Sequence, residues 1–552
     1  MNIPEKNNCW VFHGHGMNSF GVNNLPTTLN MPQPGPSEVL ARVDAFAICA
    51  SDVKMISMGN DYPLFKGRDF SVNPAILGHE LSLTVVKPGC EMVDAWPTGM
   101  RLGVQPDVYL NNERFCIGVN VNGGMAEYLL LGEEVFSSDH GSCAFAVDER
   151  LSHAAVAQTE PLACVEAAFV QHSRPSMKPD GRVLIWLDTG INRNFTLDMP
   201  FVSSDIIVVG TPEVYQEYIS GLANDEVVFT SDLPETLFDD IIILGNPDDA
   251  TLTAISERMA VNGLLCWLPQ SEPQKYVAMD VAKIHYNKVN LLGSSQRRLS
   301  DAFREEKYRY DYHPGGVLII SGGGGTMGRI HLQRALKSPC APAKIIVTGN
   351  TRTRLDQMAQ DFSAIIAASD IEVNYLALQD CVDFCGQLRE LVGEHGATDI
   401  IVSAPGIEPI DAVVEFLADD GILILFSGTR YGLFGKLPLG WVASRNVSIT
   451  ASSGSSVADQ LQVLAKMNRN EALPDFNVAA IGGLMATKSG LEAVKAGRFT
   501  GKVVIYPQLK HLPLLPLNEL GNWDRQLGDY VVQNGWSRTA ERMLEHIYHG
   551  KE

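Results

Sequence analysis

Short apolar runs bounded by glycine and proline fill the first 150 residues or so. Glu38 to Ile48, Leu81 to Val86 and Met125 to Leu131 read as strands in a β-rich, irregular region. Between 153 and 172 the pattern turns helical, with Ala154, Ala155, Ala163, Ala167 and Ala168 in a stretch poor in glycine. After Gly181 it changes again, to apolar runs of strand length alternating with helical segments. Arg182 to Leu187, Asp205 to Val209, Glu226 to Phe229, Asp240 to Leu244 and Gly263 to Trp267 form one such series. Val317 to Ser321, Lys344 to Thr348, Thr398 to Ser403 and Gly421 to Phe426 form a second. Continuous rather than alternating apolar runs predict a parallel sheet covered by helices on both faces.

The two series also match in kind. Asp239-Asp240-Ile241-Ile242-Ile243 parallels Thr398-Asp399-Ile400-Ile401-Val402, and Asn262-Gly263-Leu264-Leu265 parallels Asp420-Gly421-Ile422-Leu423. The run from Lys288 to Ser295 parallels that from Arg445 to Ser452. This predicts a tandem duplication of one nucleotide-binding-type module; two unrelated α/β stretches are the alternative.

Composition narrows the class. The chain has 552 residues, 45% hydrophobic and 19% charged, as expected for several domains with apolar cores. Its 43 basic and 64 acidic side chains give a formal charge of −21, which argues against nucleic acid or an anionic membrane as partner. Ten cysteines without a paired framework predict a reducing, cytoplasmic setting. Met1 to Trp10 is polar, so no signal peptide is expected, and apolar runs such as Ile422 to Phe426 are far short of a membrane span.

Strand Val317 to Ser321 runs into Gly322-Gly323-Gly324-Gly325-Thr326-Met327-Gly328. Gly323, Gly325 and Gly328 fit G-x-G-x-x-G, with Thr326 and Met327 inside the loop and Arg329 to Lys337 as the following helix. The first glycine allows the tight turn, the second admits a pyrophosphate, and the third lets helix and strand pack. At the end of the next strand, Gly349 stands where an acid normally holds the ribose 2′-hydroxyl, and Arg352 and Arg354 follow. Loss of the acid and gain of arginine favour NADP(H) over NAD(H); ordinary helix-surface charges are the alternative. In the first module the corresponding strand ends Asp188-Thr189-Gly190-Ile191-Asn192-Arg193, without the glycine pattern and with too little chain for a phosphate-facing helix. That module is read as degenerate and structural.

Cys49-Ala50-Ser51-Asp52, Gly78-His79-Glu80 and Glu160-Pro161-Leu162 precede the α/β region. Thiolate, imidazole and carboxylate form a set suited to zinc with one position open. With these motifs, Gly123-Gly124-Met125-Ala126-Glu127-Tyr128, the glycine loop and Gly501-Lys502-Val503-Val504-Ile505, the chain resembles the zinc-dependent medium-chain dehydrogenase/reductase family. The closest likeness is to its sorbitol and polyol dehydrogenase branch, including sugar-phosphate reductases, over residues 35–180 and 315–507. The resemblance implies Cys49, His79 and Glu80 as zinc ligands, Glu160 as a ligand or as holder of the zinc water, and Ser51 as proton relay. Lys54, a candidate catalytic residue, stands near where many alcohol dehydrogenases have a second relay histidine. The lobe of Arg101 to Gly123 has only Cys116, so one catalytic zinc and no structural zinc is expected.

The architecture implied is a GroES-like catalytic domain over 1–180, a degenerate Rossmann-like module over 181–314, a dinucleotide-binding Rossmann domain over 315–480, and a return to the catalytic domain with a helical tail over 481–552. The expected function is hydride transfer between NADP(H) and a polyol, ketose or sugar-phosphate alcohol. An NAD-dependent alcohol or amino-alcohol dehydrogenase is the alternative, and a non-catalytic nucleotide-binding scaffold is the reading from another class. Arg68 is a possible substrate-phosphate contact or a surface charge, and His13 and His15 read as a strand end rather than a metal site. Homo-oligomers are possible. Val289 to Leu292 is expected to pair with Val447 to Thr450, imitating a dimer of Rossmann modules within one chain.

Overall fold

A computed structural model describes residues 3–551 apart from 171–173, 192–193, 201–204, 211–212, 222–226 and 304–308. The chain forms two compact units, residues 1–167 with 454–552, and residues 168–453.

The first unit is built on an eight-stranded sheet. Its path runs Ala144–Ala146, Arg101–Val104, Glu80–Pro88, Val39–Ala47, Lys502–Tyr506, Val478–Gly483 and Leu515–Pro516, with Tyr128–Leu131 also on Val39–Ala47. Trp10, Phe12, Phe20, Phe46, Met55 and Phe65 fill its core. The chain returns to this unit at Gly454, earlier than the expected 481. Buried polar contacts explain the difference: Gln460, on helix Val457–Asn468, accepts a bond from the Thr159 hydroxyl at 2.9 Å and donates to Gln105 at 2.6 Å. Beyond Tyr506 the tail turns helical. Its last helix, Arg538–Lys551, buries Ala540, Leu544 and Tyr548 against Ala154, Ala157 and Trp536.

The second unit holds two six-stranded parallel sheets with the same strand order, the doubly wound 3-2-1-4-5-6 arrangement. One runs Val227–Thr230, Asp205–Val209, Arg182–Leu187, Phe238–Leu244, Met259–Leu268, Asn290–Gly293; the other Glu372–Ala377, Lys344–Gly349, Val317–Ser321, Ala397–Val402, Leu417–Leu425, Ser448–Thr450. The correspondence extends to side chains. Asp240 accepts from the Arg174 guanidinium at 2.6 Å and the Lys178 amide at 2.8 Å; Asp399 accepts from Arg309 at 2.8 Å and the His313 amide at 3.2 Å. Asn262 and Asp420 both sit at positive φ (58° and 56°), as do Lys288 and Asn446 (50° and 55°).

The expected pairing of Val289 to Leu292 with Val447 to Thr450 is not the ladder observed. Asn290–Gly293 pairs with Leu264 to Trp267, and Ser448–Thr450 with Ile422 to Ile424. Both edges line a cavity of about 90 Å³. Helix Leu439–Ser444 crowds the first edge: a Cβ on Gly293 would lie 2.9 Å from that of Ala443. The ladder that joins the modules is antiparallel, between Val277–Asp280 and Phe434–Leu437, with Val277 opposite Leu437 and Asp280 opposite Phe434. These two strands occupy the same place in each module, between the fifth and sixth strands of its sheet.

Candidate metal centre and cofactor loop

Cys49 caps helix Ala50–Met58, and the Asp52 carboxylate accepts from the Cys49 amide at 2.9 Å. This capping box fixes the thiol at the mouth of the first turn. Strand pairing then sets Ala47 opposite Glu80, so the thiol lies beside the His79-Glu80 corner. That corner is sharp: Gly78 has φ +95°, and a Cβ on Gly123 would lie 2.3 Å from the Gly78 carbonyl. The glycine pair of the Gly123-to-Tyr128 motif therefore lets backbone support the metal loop at close range. Together these elements bring ligand atoms of Cys49, His79 and Glu80 within 4.8 Å of one another.

A second layer of groups orients the first. Asp52 lies 3.3 Å from His79 Nδ1, and Ser51 Oγ lies 3.1 Å from Nε2. Burial disfavours the imidazolium, but Asp52 and Cys49 outweigh it and hold the His79 pKa well above its ordinary value. Lys502 Nζ contacts Glu80 Oε1 at 2.5 Å, both buried. Burial works against the ammonium, yet Glu80 and Cys49 hold its pKa above that of an ordinary lysine. The other oxygen, Glu80 Oε2, is buried with no hydrogen-bond partner among the described residues. A buried carboxylate oxygen without a partner is costly; beside a thiol and an imidazole it is satisfied by a borderline-soft cation. The donor set fits zinc.

Glu160 is not within this three-residue group. It sits on helix Thr159–Ala167 and accepts from the Cys164 thiol at 3.2 Å. Its charge nonetheless reaches the site, adding to the burial that pushes the Glu80 carboxyl up, against the pull of Lys502. Lys54, on the same helix as Ser51, is exposed. His13 and His15 are exposed beyond strand Val11–Phe12. Arg68 is not an idle surface charge. It donates to the carbonyls of Asn73, Val119 and Pro74 at 2.7 to 2.9 Å and stacks near Phe65 and Phe70, stapling its loop.

In the second unit, strand Val317–Ser321 leads through the glycines into helix Thr326–Lys337, so Thr326 opens the helix and Arg329, the expected start, is already inside it. The Gly323 amide donates to the Thr348 carbonyl at 2.7 Å. A Cβ on Gly323 would strike Val347, and one on Gly328 would strike Gly323, whereas Gly325 faces open space. Two glycines thus serve packing, and the third leaves room in front of the helix N-terminus, where backbone N–H groups attract phosphate. Met327 follows within the first turn. Gly349 ends strand Lys344–Gly349, and Arg352 and Arg354 lie in the first turn of helix Arg352–Ala367. Arg352 pairs with Asp380 at 2.8 Å and Asp356 at 3.7 Å. Arg354 lies against the glycine loop, its Cβ 3.5 Å from where a Cβ on Gly324 would stand. In the first module no helix lies between Arg182–Leu187 and Asp205–Val209 among the described residues. There Asp188 accepts from the Asn246 amide at 2.9 Å, a carboxylate at the strand end where the second module keeps its loop.

Sequence reasoning assigned no role to Asp52, Lys502 or Cys164. Lys502 carried a signal, a cation opening the otherwise apolar Lys502–Tyr506 strand; Cys164 carried only its spacing of one helical turn from Glu160.

Residues 35–138 match the alcohol dehydrogenase GroES-like domain. Mannitol-1-phosphate 5-dehydrogenase of Aliivibrio fischeri is 26% identical over 249 residues, 42% of this chain and 57% of that protein. L-sorbose 1-phosphate reductase of Klebsiella pneumoniae is 28% identical over 241 residues, 42% of this chain and 55% of that one. The chain thus spans little more than half the length of these relatives. The crystal structure of 2R,3R-butanediol dehydrogenase from Bacillus subtilis superposes with a TM-score of 0.52 over 91% of this chain and 99% of that one, at 13% identity, a likeness of fold alone. Among the described residues no helix is long and apolar enough to cross a membrane.

Proposed function

We infer that this chain, which belongs to the zinc-dependent medium-chain dehydrogenase/reductase family, transfers a hydride between NADP(H) and an alcohol carbon of a polyol, ketose or sugar phosphate. The observation that carries the reading is the buried Glu80 Oε2, without a hydrogen-bond partner among the described residues, beside the Cys49 thiol and the His79 imidazole, in a chain that also holds a complete glycine loop.

Cys49, His79 and Glu80 would hold the zinc, which when bound supplies Lewis-acid polarisation of the substrate oxygen. Asp52 orients His79 through Nδ1 and leaves Nε2 for the metal. Ser51 Oγ lies 3.1 Å from Nε2; with that nitrogen given to the metal, its hydroxyl would be placed to take the substrate proton and pass it on. Lys502 balances the charge of Glu80, and Glu160 stands by as an alternative ligand or as the group that holds a water. A nicotinamide held at the glycine loop of Gly323, Gly325 and Gly328 would supply the hydride acceptor for oxidation and the donor for reduction.

Arg354 is the residue proposed to meet a 2′-phosphate. Arg354 stands against the glycine loop at Gly324, and Gly349 brings no negative charge. The first module, with Asp188 in place of a glycine loop, is proposed to have lost cofactor binding and to serve as an internal partner for the second. The antiparallel ladder supports this, because equivalent strands cross each other as at a two-fold axis. Sugar-phosphate relatives favour a phosphorylated substrate. NADPH absorbance with a panel of polyols, ketoses and their phosphates tests the function: turnover of at least one, lost in Cys49→Ser, is expected, and no turnover of any would remove the polyol reading.

A further inference from the structure

Helix Thr159–Ala167, which carries Glu160, packs against strand Glu80–Pro88 at the metal group, and the Glu160 charge acts on Glu80. Yet its only hydrogen-bond donor among the described residues is a thiol, Cys164 Sγ at 3.2 Å, one turn later on helix Thr159–Ala167. The thiol is itself fixed. Its sulfur meets the Ser455 side chain, and Ser455 is gripped by Gln105 through its backbone carbonyl at 2.6 Å and its hydroxyl at 3.2 Å. A cysteine thiol facing a carboxylate oxygen at this distance is the donor of the pair, since the carboxylate can only accept.

We propose that Cys164 is a positioning residue for the metal centre: a thiol tether that holds Glu160 Oε1 and thereby aims the other carboxylate oxygen at the metal or its water. The inference rests on the metal reading above. Its physical content lies in the strength of the tether. A thiol is a weak donor, so the carboxylate is oriented without being locked and can move between the metal and its resting position. A hydroxyl there would donate more strongly; an alkyl group would not donate at all. Glu160 would then rely on rotamer preference alone, and loss of such an outer partner typically lowers metal affinity by about 10- to 100-fold.

The test uses the full chain stripped of metal and titrated with zinc against a chromophoric chelator. Cys164→Val is expected to weaken zinc binding about tenfold, and Cys164→Ser to stay within about threefold of wild type. In a Glu160→Gln background Cys164→Val should add nothing, because the tether then has no carboxylate to aim. Thermal melting monitors folding, and Cys164→Ala replaces the valine variant if valine overfills the site. Cys164→Val binding zinc as tightly as wild type, or losing affinity equally in the Glu160→Gln background, would overturn the proposal while leaving the metal site standing. If Cys49→Ser binds zinc as well as wild type, the metal reading fails and the tether fails with it.

Discussion

Lys502 Nζ lies 2.5 Å from Glu80 Oε1, so a strand late in the first unit reaches back to neutralise a carboxylate early in it. Sheet order makes this possible. Val39–Ala47 is flanked by Glu80–Pro88 on one side and Lys502–Tyr506 on the other, which brings residues 422 apart in sequence into contact.

Removing the cation leaves Glu80 buried and unpaired. Lys502→Met should cost about 3–5 kcal/mol of stability, read as a lower midpoint in urea with an unchanged slope. Zinc retention should fall with it. Lys502→Arg, which keeps the charge, should recover part of both.

For the cofactor, Arg354→Ala should weaken NADPH binding by about 10-fold or more, the loss of one charge-assisted contact, and leave NADH within about twofold. Arg352→Ala should change neither strongly, since Arg352 is paired with Asp380 and Asp356. Fluorescence titration of both reduced cofactors checks this; equal losses for NADPH and NADH in Arg354→Ala would remove the 2′-phosphate role.

The C-terminal tail gives a pH prediction. Glu541 accepts from the His153 and Ala154 amides at 2.8 and 2.9 Å and from the Tyr506 hydroxyl at 2.9 Å, capping the helix that leads toward Glu160. Near it, Asp475 accepts from the Ser152 hydroxyl. Burial, with Glu541 adding to it, pushes the Asp475 carboxyl from 3.8 up to about 8. A carboxyl raised in the folded state binds more protons there than in the unfolded chain between those two values. Its contribution is therefore full below about pH 4 and lost as pH climbs to about 8. Asp475→Asn, which keeps an acceptor for Ser152, should flatten this decline and raise the melting temperature at pH 8 by about 3 °C. An unchanged pH profile would contradict it.

Much of this was legible in the chain. Continuous apolar runs such as Val317–Ser321 and Lys344–Gly349 mark buried parallel strands because both faces are covered, and the glycine spacing survives because Gly323 and Gly328 have no room for a Cβ. The motifs around Cys49 and His79 were readable as residue types. What escaped is set by tertiary contact. The Glu80–Lys502 pair and the Gln460 contacts join distant segments, and no local periodicity encodes them. The ladder between the modules escaped for a related reason. Val289 to Leu292 and Val447 to Thr450 are apolar edge strands that resemble pairing partners, but Ala443 packs against Gly293 and the junction shifts to Val277–Asp280 and Phe434–Leu437.

That junction is testable. Met279 is buried in the ladder opposite Gly435, so Met279→Asp should place an unpaired charge there and cost about 3 kcal/mol or more. If the first module is the internal partner of the second, NADPH affinity should fall as well, although Met279 lies in the module without the glycine loop. Unchanged stability and cofactor affinity would show that the modules do not depend on each other.

Metal content is the decisive property of the site. Elemental analysis of the purified full chain and of Cys49→Ser addresses it most directly. One zinc per chain in the wild type, falling to near zero in Cys49→Ser with the fold retained by circular dichroism, is the predicted result. Two zincs per chain, or zinc retained undiminished after loss of the thiol, would contradict it.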